Sequence, residues 1–391
     1  MTPSRQRLTF VITSLGLGGA QQQVRSLCGR FQERGWDVDV VSLLDTVIVP
    51  PAGDLPDGVR VDSLGMRRRL KDVTSLPRLV RHLRRRRPHV VHAHMVHANL
   101  LARFARVFAR VPVLVCTAHS PFEGGPSIDL AYRLSDRLAD VTTNVSAHAA
   151  HGFVERRAVP AARMRVVPNG VDVAQYGPRL TGAERAALRS ELHIPSGRFA
   201  WLNAGRLAAE KDLGTLLRAF KHLLERSPDH HLVLAGDGSE RAALERLADT
   251  LGLRGHVTFL GFRSDVVRLM RAFDAFVMSS AWEGLPIVLL EAGACRLPGV
   301  ATDVGATREV LLDGVTGRVA PPGAPQALGE AMAALAAQTD AERSDMGEAA
   351  RAHVEAQFAL ERVVMTWEQL YAEFLCKRSV SDEPPPATRG R

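Results

Sequence analysis

Residues 199–224 read FAWLNAGRLAAEKDLGTLLRAFKHLL. Phe199 to Ala204 is a short, mostly apolar run and predicts a buried strand. Leu213 to Leu224 carries apolar residues at helical spacing, and a loop holding Gly205 lies between the two. The unit then recurs. His231 to Ala235, Val257 to Leu260 and Ala275 to Ser279 read as strands; Glu240 to Leu251, Val266 to Arg271 and Ile287 to Ala294 read as the helices that follow them. The first half alternates in the same way, with strands at Leu8 to Ser14, Val38 to Leu44, His89 to Ala93 and Val113 to Thr117, and a helix over Ala20 to Arg34. Strands separated by helices predict βαβ units and parallel sheets. The expected fold class is α/β: two doubly wound, Rossmann-like domains facing a central cleft, with ligands at the carboxyl ends of the strands.

Gly177, Pro178, Gly182 and Pro195 mark Tyr176 to Pro195 as the hinge. The expected domains are residues 1–180 and 181–360. A C-terminal helix over 361–378 is expected to pack back toward the first domain. Residues 379–391, with Pro384 to Pro386 and no apolar face, read as a disordered tail. The charge is unevenly placed. Residues 1–180 hold 26 Lys/Arg against 14 Asp/Glu, and residues 181–391 hold 24 against 28, which implies different partners for the two halves. The four cysteines are scattered with no CxxC pair, so neither a zinc site nor a disulfide framework is indicated. No run of about 18 apolar residues exists to span a membrane. A cytoplasmic protein is expected.

Three features of the second half carry chemistry. Arg206 and Lys211 sit between a strand and a helix, where two cations suit a diphosphate without a metal; a solvated charge cluster fits the same spacing. Pro286 fits the first turn of a helix, whose free N–H groups would face anionic oxygens. Glu283 lies in the loop before it and Glu291 within it. Glu291 interrupts the apolar run Ile287 to Leu290, so it needs a partner: sugar hydroxyls or backbone.

The first half is less specific. Gly16-Leu-Gly18-Gly19-Ala20-Gln21 follows a strand and opens a helix, but a dinucleotide fingerprint wants Gly or Ala where Gln21 stands. His92, His94 and His97 cluster, with His92 and His94 on one face of a strand. Metal binding is the sharp reading; a polar lining or core hydrogen bonding is the plain one, and no carboxylate or cysteine neighbours them. Leu76, Leu79, Val80 and Leu83 form a helical stripe flanked by Arg78, Arg81 and Arg84 to Arg87, with Arg67 to Arg69 upstream. This fits either a surface helix on anionic lipid or a helix packed on a sheet. Nucleic acid is disfavoured, since Tyr and Trp are scarce there and no recognition motif appears.

Taken together, Gly205-Arg-Leu…Glu210-Lys-Asp212, Glu283-x7-Glu291 and Thr302-Asp-Val-Gly305 resemble the family-4 retaining glycosyltransferases of the GT-B fold. Gly16 to Ala20, Val167-Pro-Asn-Gly-Val-Asp172 and Asp313-Gly-Val-Thr-Gly317 stand in the family's order too, so the resemblance covers roughly residues 8–375. It implies that Arg206 and Lys211 hold a donor diphosphate. Glu291 would bond the ribose, and Glu283 would contact the donor sugar or support its developing charge. Backbone N–H groups at Leu285 and Ile287 would meet sugar or phosphate oxygens. The loop with Arg263 would line the base pocket. Gly18 and Gly19 would let backbone approach the donor phosphate or acceptor, and His119 would bond a sugar hydroxyl. Two positions depart from the family's pattern: Arg296 stands where a glycine is usual, and Gly299 where a β-branched residue is usual.

The resulting expectation is a retaining, metal-independent hexosyltransferase. It would use a nucleotide sugar, by default a UDP-sugar, and no further cofactor. The acceptor would be a carbohydrate or lipid-linked molecule of envelope or exopolysaccharide synthesis, and the basic first domain would touch the inner face of the membrane. A nicotinamide-dependent oxidoreductase and a catalytically silent sugar-binding protein are the alternatives.

Overall fold

A computed structural model describes residues 5–16, 18–45, 55–66 and 74–381. Arg67 to Arg69 and the prolines of the expected tail lie outside the described residues.

The chain forms two compact units, residues 1–168 with 360–391, and residues 169–359. The first holds a seven-stranded parallel sheet: β1 (Arg7–Ile12), β2 (Asp37–Ser42), β3 (Arg60–Ser63), β4 (Val90–His94), β5 (Val113–Ala118), β6 (Val141–Asn144) and β7 (Met164–Val166), in the order β3-β2-β1-β4-β5-β6-β7. The second holds six parallel strands: β8 (Phe199–Ala204), β9 (His230–Ala235), β10 (Val257–Gly261), β11 (Ala275–Met278), β12 (Gly299–Thr302) and β13 (Gly317–Ala320), in the order β10-β9-β8-β11-β12-β13. Each order reverses direction once, between β1 and β4 and between β8 and β11. Such reversals leave a crevice at the carboxyl edge because neighbouring connections run to opposite faces. Both sheets are thus doubly wound, as the alternation of strand and helix predicts. The short strands β3, β6, β7 and β13 went unread in the sequence.

The first sheet is covered on both faces. Leu8, Phe10 and Ile12 pack with Val24, Leu27 and Phe31 of the helix Gly19–Glu33. On the other face, Val11, Val41 and Val91 pack with Leu79, Leu83, Ala98 and Ala102. Leu76 and Val80 pack against that same core, so the apolar stripe of the helix Ser75–Arg86 faces the sheet. The surface-helix reading of that stripe is therefore corrected: its leucines cover Val and Ala side chains, and only its arginine face meets solvent.

The C-terminal helix Leu360–Ser381 belongs to the first unit. Trp367 and Tyr371 are buried with Phe31 and Trp36, and Arg34 pairs with Glu361 and Glu368. The boundary near residue 180 also needs correcting. The division falls after Pro168, because residues 169–180 bond into the second unit. Val171 N donates to the Phe358 carbonyl (2.9 Å) and Leu180 N to the Arg271 carbonyl (3.0 Å). The stretch expected to be a hinge contains the helix Gly182–Glu191, closed at its start by a reciprocal Thr181–Glu184 capping box.

Candidate functional site

In the second unit, the loops after β8 and β11 meet at the reversal point. Lys211 Nζ donates to Glu283 Oε1 at 2.6 Å, and Ser280 Oγ donates to the same oxygen at 2.7 Å. Backbone ties fix the loops further: Ala281 N donates to the Glu210 carbonyl (2.9 Å) and Ser279 Oγ to the Lys211 carbonyl (2.9 Å). Asp212 starts the helix Leu213–Arg226 in a left-handed conformation (φ 43°), and its carboxylate caps Thr215 N. Arg206 is exposed and pairs with Glu210 at 2.5 Å. The two expected diphosphate cations therefore differ in setting: each pairs with a carboxylate, but Lys211 is largely covered and Arg206 is exposed to solvent.

Glycines make this packing possible. A Cβ at Gly236 would lie 1.8 Å from the Gly205 carbonyl, and one at Gly238 2.2 Å from the Leu207 carbonyl. The loop after β9 thus lies backbone to backbone on the loop after β8. At Gly305 (φ 55°) a Cβ would lie 2.1 Å from the Glu283 carbonyl, and Ala306 N donates to the Gly284 carbonyl at 3.1 Å. The Gly236-Asp237-Gly238 loop was missed from the sequence; two glycines closing a strand were the available signal.

The helix Ile287–Ala294 opens next to Glu283, so the first N–H groups of that helix point out of its start. Pro286 occupies the cap position instead of the first helical residue. Leu285 is buried, and Ile287 starts the helix. Glu291 accepts a hydrogen bond from the Tyr176 hydroxyl at 3.1 Å. Burial and the Glu291 charge both raise the Tyr176 pKa, so the phenol stays a donor. Tyr176 is a site neighbour that the sequence did not reveal, since 115 residues separate the pair. Arg263 stands two strands away, after β10, in a two-point ion pair with Asp265 (both contacts 2.7 Å).

Both departures from the usual pattern have local consequences. Arg296 takes the left-handed conformation (φ 57°) that glycine adopts without strain, and its Nε pairs with Glu348 at 2.7 Å. Gly299 is buried in β12, which pairs with both β11 and β13, so the strand forms despite the glycine. A Cβ at Gly317 would lie 2.1 Å from the Gly299 carbonyl, which shows how tightly β13 approaches.

In the first unit, Gly18 caps the helix Gly19–Glu33 at the carboxyl end of β1. After β4 the chain turns through Met95 at φ 75°, whose N–H bonds the Thr117 carbonyl at 3.0 Å. His119 follows β5. Its Nε2 lies 2.9 Å from His94 Nδ1, so one of the two rings donates and both are neutral. Burial lowers the His119 pKa to about 4 and holds His92 and His94 well below the usual imidazole value. His92 spends both nitrogens on Tyr371 (2.6 Å) and Thr117 (2.7 Å), and His97 stands apart on the helix Val96–Phe108. The metal reading of the three histidines finds no geometry here: among the described residues, no group of three or more His, Cys, Asp or Glu is arranged to hold a metal ion. His119 N–H donates to Glu123 Oε1 (3.0 Å), while Tyr132 donates to Glu123 Oε2 (2.7 Å). Burial pushes Glu123 up to about 7.

A family model described as Glycosyltransferase Family 4 matches residues 17–175, and one described as Glycosyl transferases group 1 matches residues 184–353. Between them they account for most of both units. The chain belongs to the family-4 glycosyltransferases. Among the family's members, a UDP-Gal:alpha-D-GlcNAc-diphosphoundecaprenol alpha-1,3-galactosyltransferase of Escherichia coli is 29% identical over 60% of this chain and 63% of its own length. The match thus spans less than two thirds of that relative. A D-inositol 3-phosphate glycosyltransferase of Nocardia farcinica is 28% identical over 77% of this chain and 73% of its own. Anabaena Alr3699/HepE, solved in complex with UDP, superposes with a TM-score of 0.82 at 22% identity, over 94% of this chain and 100% of that one. The fold is therefore GT-B. Both family models are glycosyltransferase models, and the oxidoreductase reading finds no support.

Proposed function

We propose that the chain is a retaining, metal-independent hexosyltransferase that takes its sugar from a UDP-sugar and uses no further cofactor. The carrying observation is Lys211 held on Glu283 beside the start of the helix Ile287–Ala294. A cation, a carboxylate and free N–H groups converge where a sugar diphosphate would present its anionic and hydroxyl oxygens. Lys211, Arg206 and the helix start stabilise charge growing on the leaving diphosphate. That diphosphate takes the proton of the acceptor hydroxyl on the same face, which retains the anomeric configuration. Glu283 supports the donor sugar, Glu291 meets the ribose, and Leu285 and Ile287 offer N–H groups. The loop of Arg263 faces the base. Gly18, Gly19 and His119 are assigned by the resemblance to the donor phosphate and sugar.

Two relatives support the choice of substrates. The Escherichia coli enzyme is named for UDP-galactose and a diphosphoundecaprenol acceptor, and HepE was solved with UDP-glucose. These names support our reading of a lipid-linked or polysaccharide acceptor of envelope or exopolysaccharide synthesis for this chain. The place of work is the cytoplasmic side of a membrane, and among the described residues no helix is long and apolar enough to cross one.

The test is transfer from UDP-glucose and UDP-galactose in excess chelator, with the product anomer read by NMR. Turnover with retention is expected, and Lys211→Ala should lower it by about 100-fold. Strict dependence on a divalent ion, inversion, or full activity of Lys211→Ala would each overturn its part of the reading.

A further inference from the structure

Six of the twelve exposed large apolar side chains among the described residues fall between positions 104 and 134: Phe104, Val107, Phe108, Phe122, Leu130 and Leu134. Phe104, Val107 and Phe108 lie at i, i+3 and i+4 on the helix Val96–Phe108, so they share one face. Ala98, Ala102 and Ala105 of the same helix are buried on the sheet. Leu130 and Leu134 share a face of the helix Pro126–Ser135, and Leu134 is 78% exposed. The two helices are neighbours: Arg103 of the first donates to the Tyr132 carbonyl and Ser135 Oγ of the second, both at 3.0 Å. Leu134 also borders an open groove of about 520 Å³ with Val154, Val159, Arg133, Arg137 and Arg157. Exposed apolar surface gathered this way normally marks a contact surface.

The exposed charge carried by these two helices is of one sign. Residues 96–110 contain no acid. Asp129 and Asp136 of the next segment are buried and paired with Arg156 and Arg163. Arg84, Arg110, Arg133, Arg137 and Arg157 are exposed, and Arg84 Nε donates to the Phe108 carbonyl at 3.0 Å, which places it at the end of the phenylalanine face. A second copy of the chain on this face would bring like charges together. Apolar side chains ringed by guanidinium groups instead match a layer of anionic headgroups over acyl chains.

We propose that the faces of the helices Val96–Phe108 and Pro126–Ser135 dock the first unit on a membrane of anionic lipid. Phe104, Phe108 and Leu134 enter the boundary between headgroups and acyl chains, and Arg84, Arg133 and Arg137 pair with lipid phosphates. The proposal deepens the membrane contact of the proposed function and rests on that part of it alone. It also moves the contact: the helix Ser75–Arg86, whose apolar stripe is spent on the core, supplies only charge.

The test is flotation of the full chain with phosphatidylcholine vesicles, with and without about one third phosphatidylglycerol. Binding is expected only with phosphatidylglycerol. The double variant Phe108→Ser/Leu134→Ser should lose about tenfold or more in bound fraction, since two apolar side chains no longer leave water. Arg133→Gln/Arg137→Gln should lose about tenfold as well. UDP affinity by calorimetry should be unchanged in both, which separates this proposal from the donor reading. The proposal is overturned if wild type stays in solution with phosphatidylglycerol, or if the Phe108/Leu134 variant floats like wild type. It is equally overturned if that variant instead dissolves a dimer seen by ultracentrifugation.

Discussion

Lys211 and Glu283 lie 72 residues apart in sequence and 2.6 Å apart in space. The ion pair joins the loops after β8 and β11, the two strands between which the second sheet reverses. Only this reversal brings those loops together, and it makes Lys211 a brace for the carboxylate beside it as well as the cation we propose for the donor diphosphate.

Lys211 and Arg206 should therefore separate on mutation. Lys211→Ala leaves Glu283 with the Ser280 hydroxyl alone, so it should lower turnover by about 100-fold and stability by about 1–2 kcal/mol. Arg206→Ala should weaken UDP binding with no change in melting temperature, because that side chain is exposed. Paired thermal melts and UDP titrations check both. A melting loss in Arg206→Ala would contradict the assignment.

Tyr176→Phe removes one donor from Glu291. We expect a stability loss of about 1 kcal/mol and a raised KM for the UDP-sugar at nearly unchanged kcat, because the hydroxyl orients Glu291, the group we propose for the ribose. Steady-state kinetics in the two variables decide it: a kcat effect without a KM effect would place Glu291 in the chemical step instead.

Gly305→Ala puts a methyl group 2.1 Å from the Glu283 carbonyl at a positive φ. The Glu283–Gly284 loop must shift. A loss of about 2 kcal/mol or more is expected, together with weaker UDP binding. Urea unfolding with UDP titration reads both, and a variant with wild-type affinity would show that loop position is unimportant for the donor.

Stability should depend on pH through two opposed groups beside β5. His119 titrates near 4 when folded, against 6.5 for an ordinary imidazole. The unfolded chain then binds more protons between those values, so stability rises with pH from about 4 to 6.5. Glu123 titrates near 7 when folded, against 4.5, so the folded chain binds more protons and stability falls as pH rises from about 4.5 to 7. From pH 6.5 upward the Glu123 contribution outlasts that of His119. His92 and His94, also held well below the usual imidazole value, add to the His119 side, so the Glu123 contribution is read as a difference: from pH 6.5 to 7.5 the urea midpoint of Glu123→Gln should rise more steeply than that of the wild type. A slope unchanged in the variant would reject the assignment to Glu123.

The order of strand and helix, the loops holding Gly18, Gly205 and Gly284, and the spacing of Arg206, Lys211, Glu283 and Glu291 were all legible in the sequence. Each is a local pattern: apolar periodicity specifies an element, and a loop residue's type limits what it can bind. The helix Ile287–Ala294 is legible at both ends because a proline precedes it and an apolar run fills it. Short strands such as β6 and β7 escaped because three or four residues carry too little periodicity. The close approach of Gly236 to Gly205 was invisible because it depends on two loops from adjacent strands. Nor could the stripe Leu76, Leu79, Val80 and Leu83 declare whether it met lipid or sheet; amphipathicity states that a face must be covered, and only packing states by what. Tertiary structure also decided the pairings Lys211–Glu283, Tyr176–Glu291 and His94–His119. A long-range hydrogen bond depends on where two backbones converge, and no local pattern encodes that.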